Sequence, residues 1–223
     1  MKRIYLLLTS LAIIIGNLFI KEINLAETGE INLPPPKIEG KLSLEEVLSQ
    51  RRSRRTYKDE SLRIEEISQI LWAAQGITAK WGGRTTPSAG ALYPLEIYLV
   101  VGKVEDLGPG IYHYQPRDHS LRRLIEGDKR WSLFSACLFQ SSLKDAPVSF
   151  VICASYPRTT KKYGKRGRRY VHMEVGCAIQ NIYLQAESLG LGTVAIGAFV
   201  DKAVKKILNI PEEPLCIMPI GRR

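Results

Sequence analysis

Three short apolar runs, EIYLVVG (96–102), VSFVICA (148–154) and LCIMPI (215–220), constrain this chain more than any other feature. Each reads as a buried strand. GIYHYQ (110–115) and SLRRLI (120–125), joined by PRDH, read as a hairpin, and GTVAIGA (192–198) as a further strand. Helices fall between them. Ser43-Leu44-Glu45-Glu46 has the S-x-x-E form of a capping box and opens a short helix that runs into the arginines at 51–55. Residues 63–76 place Ile64, Ile67, Ile70, Leu71 and Ala74 at helical spacing, with Gly76 as a stop. Residues 128–140 are predicted helical, 169–189 form a long helix ended by Gly190, and Asp201 caps a helix to Leu208. Strands are clustered and hairpin-joined instead of alternating with helices. The expected class is therefore α+β with a mainly antiparallel sheet, not a doubly wound one.

The 223 residues are 45% hydrophobic and 24% charged, which is ordinary globular usage. Disorder, collagen and a polytopic membrane protein are excluded, and the length allows one domain or at most a small pair. Residues 4–20 are apolar and uncharged, preceded by Lys2 and Arg3 and closed by Lys21-Glu22. A basic flank before an apolar core is the export pattern, so 1–26 is expected to be a cleaved signal or an uncleaved membrane anchor, with the domain outside. A start site placed after this stretch would leave the same domain cytoplasmic. Residues 27–40 carry three consecutive prolines and read as a semi-rigid linker, leaving one domain over 41–223. The net charge of +10 suits anionic ligands, nucleic acid or acidic lipid without choosing among them. Cys137, Cys153, Cys177 and Cys216 form no CxxC, and His113, His119 and His172 are scattered. No zinc ribbon, other metal site or disulfide framework is expected, and the cysteines are expected to be free and buried.

Several catalytic fingerprints fail. Gly190-Leu191-Gly192 ends a helix instead of opening one and is followed by Gly197, so it is no dinucleotide fingerprint. Gly83 to Gly90 lacks the Gly-Lys-Ser/Thr of a phosphate loop, and Ser88 lies in Pro-Ser-Ala-Gly, not in a hydrolase elbow. Three features remain. Arg51-Arg52-Ser53-Arg54-Arg55 offers fork-like donors; in an extended chain Arg51, Ser53 and Arg55 face one way, as a phosphate requires, although a solvated basic turn explains the same residues. Thr86 to Ala91 is a loop of small residues that lets a flat ring approach the backbone, or simply a loop. Arg158 to Arg169 carries seven cations and no acid. Such crowding disfavours an ammonium and favours the phenolate of Tyr163, while the plainer reading is a solvated loop with weak affinity for nucleic acid.

Taken together, the segments LSLEEVLSQRRSRRTY, ILWAAQGIT, RTTPSAGALYPLEIYLVVG, GIYHYQPRDHSL, KKYGKRGRRYVHMEVGCAIQNIYLQAESLGLGTVAIGAF and MPIG resemble, in order, the nitroreductase superfamily of FMN enzymes. The similarity is greatest to its SagB/thiazoline-oxidase branch and covers almost all of 41–221. The resemblance implies an α/β sandwich with a mainly antiparallel central sheet flanked by helices, in an interlocked homodimer with two FMN sites at the interface. It implies that Arg51, Ser53 and Arg55 hold the phosphate and ribityl chain, with Arg222 or Arg223 substituting for a basic segment that many relatives carry farther on. Pro87, Ser88 and Ala89 would line the ring from the partner subunit, and Ile196, Gly197 and Ala198 would offer backbone donors to its N5 edge. Gly176, Gln180 and Asn181 would lie on the helix at the dimer interface. Many nitroreductases have P-S-S-x-N-x-Q-P; here Ala91 replaces the flavin-contacting Asn, as in the SagB-like branch. Lys162-Tyr163 matches a Lys-Tyr pair implicated in removing a substrate proton. The implied activity is FMN-dependent oxidation of a small molecule or peptide, with oxygen or a quinone as final acceptor. An NAD(P)H-dependent nitro- or quinone-reductase and a membrane-tethered electron carrier are the alternatives, and no nucleic-acid partner is expected.

Overall fold

The apolar runs form the centre of a seven-stranded sheet. The computed structural model describes residues 29–223, and Ile31–Arg223 is one compact unit. The apolar stretch 4–20 and the start of the linker lie outside the described residues. The strands are β1 (Glu30–Asn32), β2 (Leu95–Val101), β3 (Gly110–Gln115), β4 (Ser120–Glu126), β5 (Val148–Ala154), β6 (Leu191–Thr193) and β7 (Glu213–Arg222), in the order β1-β4-β3-β2-β5-β7-β6. All pairings from β4 across to β6 are antiparallel. The helices are α1 (Leu44–Gln50), α2 (Ile64–Gln75), α3 (Arg130–Ala136), α4 (Ser141–Asp145), α5 (Tyr156–Tyr163), α6 (Gly167–Ser188) and α7 (Asp201–Leu208).

The alternation of side chains along the central strands builds two cores. Ile97, Leu99, Phe150, Ile152 and Met218 point to one face, where Ile67 and Ile70 of α2 and Ala178 and Ile182 of α6 cover them. Tyr98, Val100, Val151, Cys153 and Ile217 point to the other, under Leu133 of α3, Leu143 of α4 and Val204 of α7. This is why the central runs are apolar at nearly every position, Glu96 and Ser149 excepted: both faces are covered, so neither parity of residue meets water. Burying one such large side chain contributes roughly 1.5–3 kcal/mol. The molecule is thus the expected helix-flanked antiparallel sandwich.

Local sequence rules account for some element ends, although Val200 and not the expected Asp201 is the N-cap of α7. Ser43 Oγ accepts the Glu46 N–H at 3.2 Å, and Glu46 Oε2 accepts the Ser43 N–H at 2.7 Å. Ser43→Ala, which removes one half of that box, is expected to cost about 1 kcal/mol, read as a lowered midpoint in urea unfolding.

Five expectations change. The basic stretch 158–169 is helical, not a loop: Pro157 sits in the first turn of α5, Gly164 breaks the helix at φ +55°, and α6 begins at Gly167. A Cβ on Gly167 would stand 2.9 Å from the Thr160 Cα, so glycine permits the two helices to meet there. Residues 128–140 do not make one helix, because Leu138 and Phe139 adopt φ +57° and +59° and separate α3 from α4. The strand expected over 192–198 is paired only at 191–193 and again at Ile196. Part of the expected linker is built into the fold: Leu33 is buried, Ser68 Oγ donates to the Pro34 carbonyl, and the Lys37 N–H donates to Gln69 Oε1 at 2.8 Å. All four cysteines are free, but Cys177 is exposed on α6. No helix among the described residues is long and apolar enough to cross a membrane.

Candidate functional site

The structure gathers the singled-out residues into two clusters, both anchored on α6. In the first, residues 51–55 leave α1 in extended form beside β6. Ser53 bridges to Thr193, and the Arg54 N–H donates to the Thr193 carbonyl at 2.9 Å. Extended backbone alternates its side chains. The Arg51 guanidinium lies 5.1 Å over the Tyr183 ring and Ser53 Oγ is 3.0 Å from the Tyr183 hydroxyl, while Arg54 turns toward Glu187. Tyr183 Oη also accepts the Ala195 N–H at 2.8 Å, so one phenol ties the basic segment to residues 193–198.

The donor set suits an anionic, hydrogen-bonding ligand. Among the described residues neither Arg51 nor Arg55 has a carboxylate partner, and the N–H groups of Gly197 and Ala198 have no acceptor. A Cβ at Gly197 would meet nothing within 4 Å, so the backbone there is open to approach. Two expected ligands differ. The Ile196 N–H is committed to the Ile217 carbonyl at 2.9 Å, because this residue belongs to the sheet edge. Arg222 is committed too: its Nη1 and Nη2 each lie 3.0 Å from a Glu66 oxygen, and Glu66 is only 3% exposed. A buried carboxylate holds this guanidinium, and Arg223 pairs with Glu187 in the same way.

The second cluster is the turn Pro87–Ala91. Gly90, Ala91 and Tyr93 have φ of +64°, +53° and +44°, an unusual density of left-handed backbone. The turn is held from several sides. Ser88 Oγ accepts the Tyr93 N–H at 2.9 Å and donates to Glu174 Oε2 at 2.6 Å. The Arg84 guanidinium lies 4.5 Å over the Tyr93 ring, and Arg158 Nη1 donates to the Tyr93 carbonyl at 3.0 Å while pairing with Glu96. Lys162 and Tyr163 reach this turn. A Cβ at Gly90 would stand 2.6 Å from Tyr163 Oη and 3.0 Å from Lys162 Nζ, so only glycine admits both groups so close to the backbone. Tyr163 is braced by an edge contact to Tyr170, with centroids 5.1 Å apart.

Asn181 donates to the Ala73 carbonyl at 3.0 Å and to Thr86 Oγ1 at 3.1 Å, which makes it a packing residue of this chain. Gly176 and Gln180 are exposed on α6. The clusters meet α6 at Glu174 and Tyr183, about 13 Å apart along the axis by helical rise. Glu174, Tyr183 and Arg84 are not among the site residues that the sequence predicts. Glu174 carried a signal: it is an acid on the apolar stripe Val171, Val175, Ala178 and Ile182. Burial pushes its carboxyl up to about 7, against the Ser88 hydrogen bond and the Arg84 charge.

Residues 48–222 match the model of the nitroreductase family. MJ1384 of Methanocaldococcus jannaschii, which carries a nitroreductase name, is 49% identical over 199 residues, covering 89% of this chain and 99% of that protein. The Escherichia coli microcin B17-processing protein McbC is 30% identical over 147 residues, covering 62% of this chain and 54% of McbC. The solved E. coli microcin synthetase McbBCD complex with truncated pro-MccB17 bound superposes with a TM-score of 0.67 at 26% identity, covering 84% of this chain and 75% of the matched one. The chain belongs to the nitroreductase family of oxidoreductases, and these matches support its SagB-type branch.

Proposed function

We propose that this chain is an FMN-dependent dehydrogenase that oxidises an organic substrate, a small molecule or a modified peptide, with Lys162 or Tyr163 taking the substrate proton. The observation that carries the reading is the approach of Lys162 Nζ and Tyr163 Oη to the Gly90 backbone, in a turn of small residues that a flat ring can approach. Arg51, Ser53 and Arg55 would hold the FMN phosphate and ribityl chain, and Gly197 and Ala198 would direct their free N–H groups at the ring. FMN held there would supply a two-electron acceptor for the hydride lost by the substrate, the Lys162–Tyr163 pair would take the accompanying proton, and oxygen or a quinone would take the electrons on. On this chain the pair holds that proton while the turn keeps the substrate's carbon within reach.

The reading includes a homodimer, with Pro87, Ser88 and Ala89 facing the flavin of the partner subunit. The exposure of Met173, Gly176, Cys177 and Gln180 at helical spacing on α6 supports it, since this face has no cover within one chain. A peptide substrate is supported by the likeness to the McbBCD complex, which has truncated pro-MccB17 bound. The export or anchor role of residues 1–26 belongs to the same proposal.

The full chain should purify yellow with bound FMN, and Arg51→Ala with Arg55→Ala should weaken FMN binding at least tenfold by fluorescence titration. A colourless protein that also refuses added FMN overturns the reading. The second reading, a nitro- or quinone-reductase fed by NAD(P)H, is favoured by the likeness to MJ1384. NAD(P)H consumption with a nitroaromatic, unaffected by Lys162→Ala, would select it. Inactivity toward both classes of substrate would leave an electron carrier.

A further inference from the structure

Glu174 sits where a helix ordinarily packs apolar side chains. It lies between Val171, Val175 and Ala178 of α6 and is 3% exposed. An acid there costs stability unless it has a partner. Its Oε2 has one, the Ser88 hydroxyl at 2.6 Å; its Oε1 is buried without a partner among the described residues. Arg84, whose charge acts on this carboxyl, also leaves its Nε buried and without a partner among the described residues. A carboxyl held in this way stabilises something other than its own burial.

The Ser88 hydroxyl shows what that is. It accepts the Tyr93 N–H and donates its own hydrogen bond to Glu174, so backbone, hydroxyl and carboxyl form one chain across the turn. The turn and the two residues after it carry three left-handed residues, Gly90, Ala91 and Tyr93, and such backbone persists only where surrounding contacts over-determine it. Arg84 and Arg158 fix its outer end at Tyr93. Glu174 fixes the inner end, where Gly90 meets Lys162 and Tyr163.

We propose that Glu174 is a positioning residue of the site: acting through Ser88, it holds the Pro87–Ala91 turn in the shape that faces the flavin and receives Lys162 and Tyr163. The flavin part rests on the reading above; the hold on the turn does not.

The test is amide hydrogen exchange at Tyr93 and Ala91 in the full chain, paired with FMN titration. The Ala91 N–H donates to the Ser88 carbonyl at 3.0 Å, so it reports the turn without touching Glu174. Glu174→Ala should speed exchange at both amides by about tenfold, the scale of one lost hydrogen bond to a charged or polar partner. Glu174→Gln keeps an acceptor for the Ser88 hydroxyl and should stay within about twofold of the parent protein. FMN affinity should fall about tenfold in the alanine variant and recover in the glutamine one. Unchanged exchange in Glu174→Ala, or equal acceleration in both variants, overturns the proposal. If Glu174→Ala does not fold, Ser88→Ala cuts the same link from its half-buried end, and unchanged exchange at Ala91 then overturns it. A parent protein that binds no FMN defeats the cofactor reading alone and leaves the exchange result to decide the role of Glu174.

Discussion

Lys162→Ala or Tyr163→Phe, whichever residue is the base, is expected to lower substrate-dependent flavin reduction by about 10²–10⁴-fold, the range that one positioned base contributes. FMN content and melting temperature should stay near those of the parent protein. The expectation follows from where the two side chains lie. Lys162 is exposed at the last turn of α5 and Tyr163 is half-buried, so neither holds a core in place. The two replacements separate the groups: Tyr163→Phe keeps the ring and its edge contact to Tyr170 and removes only the hydroxyl, whereas Lys162→Ala removes the amine near Gly90 and keeps the phenol. Loss in one variant alone names the base, and loss in both points to a shared proton. Retention in both within twofold would return α5 to a role as scaffold. Single-turnover flavin absorbance is the measurement, because it reports the proton-coupled step without the later re-oxidation.

The antiparallel sandwich was legible because its signals are local and redundant. Val148–Ala154 is apolar at six of seven positions, Ser149 being the exception, and is buried at all seven, and the Ser43 box and the hairpin at 110–125 obey short-range rules. The errors fall where tertiary contacts outvote sequence. Seven cations between 158 and 169 suggest a solvated loop, yet Gly167 lets that segment pack as two helices against each other. Leu138 and Phe139 carry no turn signature, so the break between α3 and α4 could not be read. Within the site, the Arg-Ser-Arg alternation was readable because extended chain has a period of two. The commitment of Arg222 to Glu66 was not, since the two lie 156 positions apart and meet only through the sheet.

That last pairing sets the largest expected effect on stability. Glu66 lies in the first turn of α2, 3% exposed, and receives both terminal nitrogens of Arg222 at 3.0 Å, the Arg63 N–H at 2.9 Å and Arg63 Nη2 at 3.1 Å. Burial pushes its carboxyl up, but the Arg63 backbone and the Arg222 guanidinium outweigh that and hold it below the ordinary range. Arg222→Ala would leave a buried charge facing only the largely exposed Arg63. The expected loss is about 3 kcal/mol in urea unfolding at pH 7. A lowered carboxyl stabilises the fold above its unfolded value of 4.5 and loses that contribution as pH falls through the folded one. The gap between parent and Arg222→Ala should therefore be full at pH 7 and narrow below about pH 4.5. Adding Glu66→Gln to Arg222→Ala should recover part of the loss at pH 7, because the uncompensated charge has gone. A phosphate-binding Arg222 predicts the opposite pattern: weaker FMN affinity, little change in unfolding, and no rescue by Glu66→Gln. The bidentate geometry with a buried carboxylate favours the first pattern, since a guanidinium that left Glu66 for a ligand would strand that charge in the core.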